Sequence, residues 1–217
     1  MSGEQVKNMI LLRVGWWIKG WNVQFPYSPD EISRNPQCLR WVESKAKRTL
    51  LPLDPSASIW SPPPENWLKW NVDASLHPHL MRTSIGGVLR DHNGKFICLF
   101  SSPIPFMEIN TAEIFAIHKA MKICKDFNHL HGKKFIVESD SKNAVAWCKE
   151  KFGGPWNIQF ILNYIRNISS PELQFEICHR GRSSNSVSDG LAKLGLSRQD
   201  DFLAWLELLE DRFCNLD

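Results

Sequence analysis

The sequence predicts an α/β domain built on a five-stranded mixed sheet, with elements in the order βββαβααβα and helices flanking the sheet. Three observations lead there. Residues 67–100 carry three runs of strand-forming residues, the second and third joined by the turn sequence Asp91-His-Asn-Gly94. From residue 111 onward helical and strand patterns alternate, as helix-crossover connections between parallel strands require. Finally, Lys134-Phe-Ile-Val-Glu-Ser runs into Asp140, and a helical stretch begins at once with Ser141. That puts an acid at the carboxyl end of a buried strand, the edge where open α/β sheets gather their chemistry.

Taken in order, residues 1–50 read as a tryptophan-rich attachment (Trp16, Trp17, Trp21, Trp41) with a helix from about Pro36 to Leu50. Residues 51–66 read as a proline-rich linker without regular structure. The domain is assigned to 67–197. Its meander consists of strands at Trp67–Asp73, Ile85–Arg90 and Lys95–Phe100. A helix from about Thr111 to Phe127 follows, with Ala112, Ala116, Ala120 and Cys124 spaced along one face. After the strand that ends at Asp140 come helices at Ser141–Lys151 and, beyond Gly153-Gly-Pro155, at about Trp156–Ile168. A fifth strand, Leu173–His179, and a last helix from about Asn185 to Leu196 complete the set. Residues 198–217 form an acidic tail in which Phe202-Leu-Ala-Trp-Leu-Glu-Leu-Leu reads as a short amphipathic helix, free to dock on the domain or on a protein partner.

With 43% hydrophobic and 23% charged residues among 217, the composition is that of a globular protein and excludes a disordered or fibrous one. The six cysteines contain no Cys-x-x-Cys pair, so neither a zinc site nor a disulfide framework is signalled, and free thiols in a reducing compartment are expected. Met9–Ile18 is apolar but broken by Arg13 and too short to cross a bilayer, and no secretory signal or membrane association is expected. An intracellular location follows, with the nucleus preferred over the cytoplasm on the basic run Lys45-Ala-Lys-Arg48, which reads equally well as solvated helix face. Within 67–197 there are 16 basic and 11 acidic residues. Four of those acids are site candidates, so the rest of the surface is strongly basic around an acidic pocket, a pattern suited to a polyanion held through cations.

The four acids are Asp73, Glu113, Asp140 and Asp189. Each has an ordinary structural reading. Asp73 can end a strand, Asp140 can cap a helix, and Glu113 and Asp189 stand three residues after Asn110 and Ser186 as in capping boxes. The case rests on their conjunction. In this element order the first strand is central and the fourth lies beside it in parallel, so all four acids fall near one edge. Four carboxylates in one cleft are tolerable when divalent cations neutralise them.

Asn71-Val-Asp73, Ala112-Glu113, Glu138-Ser-Asp-Ser141 and His179-x9-Asp189-x-Leu-Ala192, in that order, resemble the four catalytic motifs of type 1 ribonuclease H. Trp60-Ser-Pro-Pro-Pro64, Gly86-Gly-Val-Leu-Arg-Asp91 and Ser188-Asp-Gly-Leu-Ala-Lys-Leu-Gly195 are similar to the ribonuclease H-like, reverse-transcriptase-like domains of plant retroelement-derived proteins. The resemblance spans about residues 60–197. It implies a ribonuclease H-like fold and cleavage of the RNA strand of RNA–DNA hybrids, with Asp73, Glu113, Asp140 and Asp189 holding two Mg²⁺ ions for which Mn²⁺ can substitute. It also implies that His179 moves a proton or aids product release, and that Asn110, Lys142, Arg180 and Arg182 contact the nucleic acid. Two departures from the pattern stand out. Ala74 replaces a common glycine and is expected to crowd the nucleic acid, and the stretch after Phe152 lacks a lysine-rich protrusion. These leave two rival readings: a silent retroelement-derived binding or interaction module, and another nuclease or integrase on the same fold.

Overall fold

The computed structural model describes residues 11–15, 28–34, 60–150 and 153–206. It comprises two units, one formed by Met1–Pro55 with Leu206–Asp217 and the other by Ser56–Trp205. In the first, residues 11–15 are helical, and a short helix, Pro29–Arg34, opens with a capping box in which the Glu31 carboxylate accepts from Ser28 N and Oγ, both at 2.7 Å. Ser28-x-x-Glu31 is the sequence signal for that helix. The helix expected at 36–50 lies outside the described residues.

The second unit holds the sheet. Its strands are β1 (Trp67–His77), β2 (Arg82–Arg90), β3 (Phe96–Ile104), β4 (Lys134–Ser139), β5 (Gln174–His179) and β6 (Phe202–Trp205), in the spatial order β5-β4-β1-β2-β3-β6. The helices are α1 (Ile109–Asp126), α2 (Lys142–Lys149), α3 (Gln159–Asn167) and α4 (Ser186–Gly195). The expected order of the first nine elements and the mixed pairing hold: β1, β2 and β3 form an antiparallel meander, while β4 pairs in parallel with both β1 and β5.

Two expectations are corrected. The sheet has six strands, because Phe202–Trp205 is not the start of a helix but pairs antiparallel with β3, from Ser101↔Phe202 to Cys98↔Trp205. The edge of β3 would otherwise offer unpaired backbone groups, and so short a segment reads as strand or helix with equal ease. Trp205 then packs on Phe127 and His129, with ring centroids 4.8 and 4.6 Å away. The second correction concerns β1, which runs past Asp73 to His77. Asp73 is therefore not a strand terminus but sits opposite Gly86, where β1 has outrun its pairing with β4.

Alternation along β1 divides the core. Trp70, Val72 and Ala74 join the main apolar cluster with α1, α2 and α3. Ala74 thus turns its methyl into this core and does not crowd the cleft. Lys69, Asn71 and Asp73 face the other side, where α4 lies unusually close to the sheet. A Cβ on Gly86 would run into Ala192 N and Leu191, and the Ser84 and Ser101 hydroxyls donate to the Ala192 and Leu191 carbonyls. At the other end of that face Trp60 and the buried Pro63 come down on the sheet from a stretch, residues 60–66, that is irregular as its prolines require and otherwise exposed.

Candidate active site

Asp73 enters the site from β1 and is 5% exposed. Asn185, just before α4, fixes it by donating from Nδ2 to Asp73 Oδ1 at 3.1 Å and to Val72 O at 2.9 Å. The Ser188 hydroxyl in turn donates to Asn185 Oδ1 at 2.6 Å. Glu113, in the second turn of α1 and 4% exposed, accepts from Ala74 N through Oε1 and from Ser139 Oγ through Oε2, each at 3.0 Å. It ties the end of β4 to β1. Asp140 follows β4 directly, with its carboxylate 3.2 Å from Arg182 Nε.

One oxygen from each of Asp73, Glu113 and Asp140 comes within 4.8 Å of the others. Asp189 stands apart from this trio. It lies in the first turn of α4, half-exposed, and its Oδ2 is 2.7 Å from Lys193 Nζ. Its charge nevertheless reaches Asp73. Burial pushes Asp73 well above the ordinary carboxylate range, and Glu113, Asp140 and Asp189 push it further. Glu113 is raised in the same way, by burial first and then by Asp140. An all-carboxylate donor set whose members resist ionising together fits hard divalent cations, which favour oxygen ligands and neutralise this repulsion.

The capping readings of the acids do not hold. Glu108, not Asn110, caps α1, accepting from Thr111 N at 3.1 Å. Ser141, not Asp140, caps α2, accepting from Ala144 N at 3.1 Å. Ser186 is the first residue of α4 and caps nothing. Relieved of capping, Asn110 accepts from Ser141 Oγ through Oδ1 at 3.1 Å and so joins the starts of α1 and α2. A cleft of about 390 Å³ opens here, lined by Asn110, Glu113, Asp140, Lys142 and Arg182. His179 Nε2 lies 3.1 Å from the Asp140 carbonyl oxygen, and since that oxygen can only accept, the contact places a proton on Nε2. Arg180 points elsewhere, its Nε 3.3 Å from Glu138 Oε1.

Sequence reasoning missed Asn185 and Ser139 as partners of the acids. Ser139 lies inside the Glu138-Ser-Asp-Ser141 motif, but nothing in the sequence separates a buried hydroxyl that holds a carboxylate from a strand-end serine.

A sequence model of the family described as reverse transcriptase-like matches residues 71–195. A curated relative, "Putative ribonuclease H protein" of Arabidopsis thaliana, is 24% identical over 157 residues; the match takes in 72% of this chain, which spans only 25% of that protein's length. Among solved structures, ribonuclease H1 of Halobacterium salinarum superposes with a TM-score of 0.53 at 18% identity, over 60% of this chain and 97% of that one. The compost-derived LC11 ribonuclease H1 in complex with an RNA/DNA hybrid gives 0.51 at 21% identity, over 59% and 96%. At such identities the likeness is one of fold, and the sheet with its helices has the ribonuclease H-like fold. With the family match covering more than half of the sequence, the chain belongs to the reverse transcriptase-like family.

Proposed function

We propose that this chain is a metal-dependent endonuclease that cuts the RNA strand of RNA–DNA hybrids. The observation that carries the reading is the meeting of Asp73, Glu113 and Asp140 within 4.8 Å at one sheet edge. The family match and the hybrid bound by a protein of the same fold support the choice of substrate. The three acids would hold divalent cations, Mg²⁺ or Mn²⁺, with Asp189 adding a ligand from α4. When bound, two such ions supply an ionised water and stabilise the charge of the leaving oxygen, leaving 5′-phosphate and 3′-hydroxyl ends.

The chain's own groups prepare that chemistry. Asn185 holds the Asp73 carboxylate, and Ala74 N and Ser139 hold Glu113, so both ligands are fixed before any ion arrives. Lys142 and Arg182 offer cations to phosphates along the cleft, and Asn110 offers a polar edge toward a minor groove. His179, anchored through Nε2, keeps Nδ1 to take up or return a proton as product leaves.

A specific observation favours the rival of a silent binding module: Lys193 occupies the Asp189 carboxylate at 2.7 Å. Incubating matched RNA–DNA hybrid and double-stranded DNA with the protein and Mg²⁺ separates the readings. Cutting confined to RNA supports the proposal. Cutting of double-stranded DNA would assign a different nuclease, and salt-sensitive hybrid binding without cutting would assign the silent module.

A further inference from the structure

On the sheet face opposite α1, a chain of polar contacts runs from the proline-rich segment to the loop beside the cleft. Trp60 Nε1 donates to Asn71 Oδ1 at 2.8 Å, and Asn71 Nδ2 donates to Glu138 Oε2 at 2.9 Å. Glu138, 2% exposed, also takes Lys69 Nζ at 2.9 Å and Arg180 Nε at 3.3 Å on Oε1. The same face holds Arg90, 6% exposed, whose guanidinium lies between the rings of Trp60 and Phe96 at 4.4 and 4.8 Å and whose Nε has no hydrogen-bond partner among the described residues. Lys69 Nζ is bonded to Ser61 O at 2.9 Å. Lys69 and Arg180 thus pair with one buried carboxylate, while the buried Arg90 guanidinium on the same face is covered by the Trp60 ring.

Arg180 is the exposed member, with its side chain 55% accessible, and it begins the loop that carries Arg182 to Asp140 and follows His179. Glu138 lies two residues from Asp140 and Asn71 two from Asp73. The network is thus built on β1, which carries Asp73, and β4, which leads into Asp140, one pleat away from those two acids.

We propose that Glu138 and Arg180 are positioning residues: the buried Glu138 carboxylate anchors Arg180 and so holds the 179–184 loop against the cleft, and Trp60 locks Glu138 through Asn71. Arg180 is then a tether and not a phosphate ligand, and residues 60–64 are part of the working site. This deepens the hybrid-nuclease reading and rests on it for its catalytic consequence.

The test uses Trp60→Phe, which keeps an aromatic face for Arg90 but loses the donor to Asn71, and Arg180→Gln, which removes an exposed charge. Arg180→Gln is expected to raise amide hydrogen exchange across 179–184 roughly tenfold or more, the size expected for losing a hydrogen bond to a charged group, and Trp60→Phe to raise it by about two- to tenfold, because the bond it loses is to the neutral Asn71 amide. Each should also lower kcat at saturating hybrid. The slope of log Kd against log salt should stay as in the wild type, whereas a lost phosphate contact would reduce it by about one. Unchanged exchange in both variants, or a slope reduced in Arg180→Gln, would overturn the tether. A rise confined to Arg180→Gln would overturn the link to Trp60. If the wild type cuts no hybrid, the nuclease reading fails while the exchange data still decide the tether.

Discussion

Asp73 and Glu113 carry protons in the folded chain at pH values where free carboxylates have lost them. A folded-state pKa above the unfolded value contributes stability that is complete below the unfolded pKa, near 4, and is lost as pH rises through the raised one. The metal-free protein should therefore melt at lower temperature at pH 8 than at pH 5, and a few millimolar Mg²⁺ should recover most of the difference at pH 8. Calorimetry across that range checks it. Asp73→Asn should raise the metal-free melting temperature at pH 8 while abolishing the Mg²⁺ response. Lys193→Ala acts on a smaller scale. As an exposed pair one helical turn apart, Lys193 and Asp189 contribute about 0.5 kcal/mol or less. Removing the lysine should leave stability nearly unchanged and lower the half-saturating Mg²⁺ concentration by about threefold or less, read from a metal titration of activity.

Between elements, the seating of α4 on β2 matters most, because it brings Asn185 and Asp189 to Asp73. Gly86→Ala drives a methyl into the α4 backbone, where no flexible side chain can yield. A loss of about 1–3 kcal/mol by denaturant unfolding is expected, with a larger fractional loss of activity than of stability because the Asn185 contact is displaced. Truncation at residue 198 would strip β6 from the sheet and bare the edge of β3. Such a chain should self-associate more strongly than the full chain, as sedimentation of the two side by side would show. Both features mark where the sequence ran short. The Gly86-Gly87 pair was visible as a strand signature, yet why β2 needs glycine opposite Asp73 is a matter of α4 arriving from more than a hundred residues away. The four residues of β6, with tryptophan and leucine spaced for either structure, read locally as helix, and an open edge elsewhere decided their pairing as strand.

For the molecule as a whole, the element order and the meeting of three acids were legible because each depends on local pattern plus the topology of crossover connections. Asp189 was legible in sequence but stands slightly aside, its carboxylate taken by Lys193, a contact that motif spacing does not reveal. The network of Trp60, Lys69, Asn71, Arg90, Glu138 and Arg180 was invisible, since buried charge on the far face of a sheet leaves no periodicity of its own. That network turns part of an apparent linker into cover for the sheet, and it gives the basic excess of the domain an inward as well as an outward role. The decisive measurement is single-turnover cleavage of a labelled RNA–DNA hybrid as a function of Mg²⁺ concentration, with Asp140→Asn beside the wild type. RNA-strand cutting that rises cooperatively with Mg²⁺ in the wild type and is lost in the variant is the predicted result. Cutting that needs no divalent ion, or that survives Asp140→Asn, would contradict it.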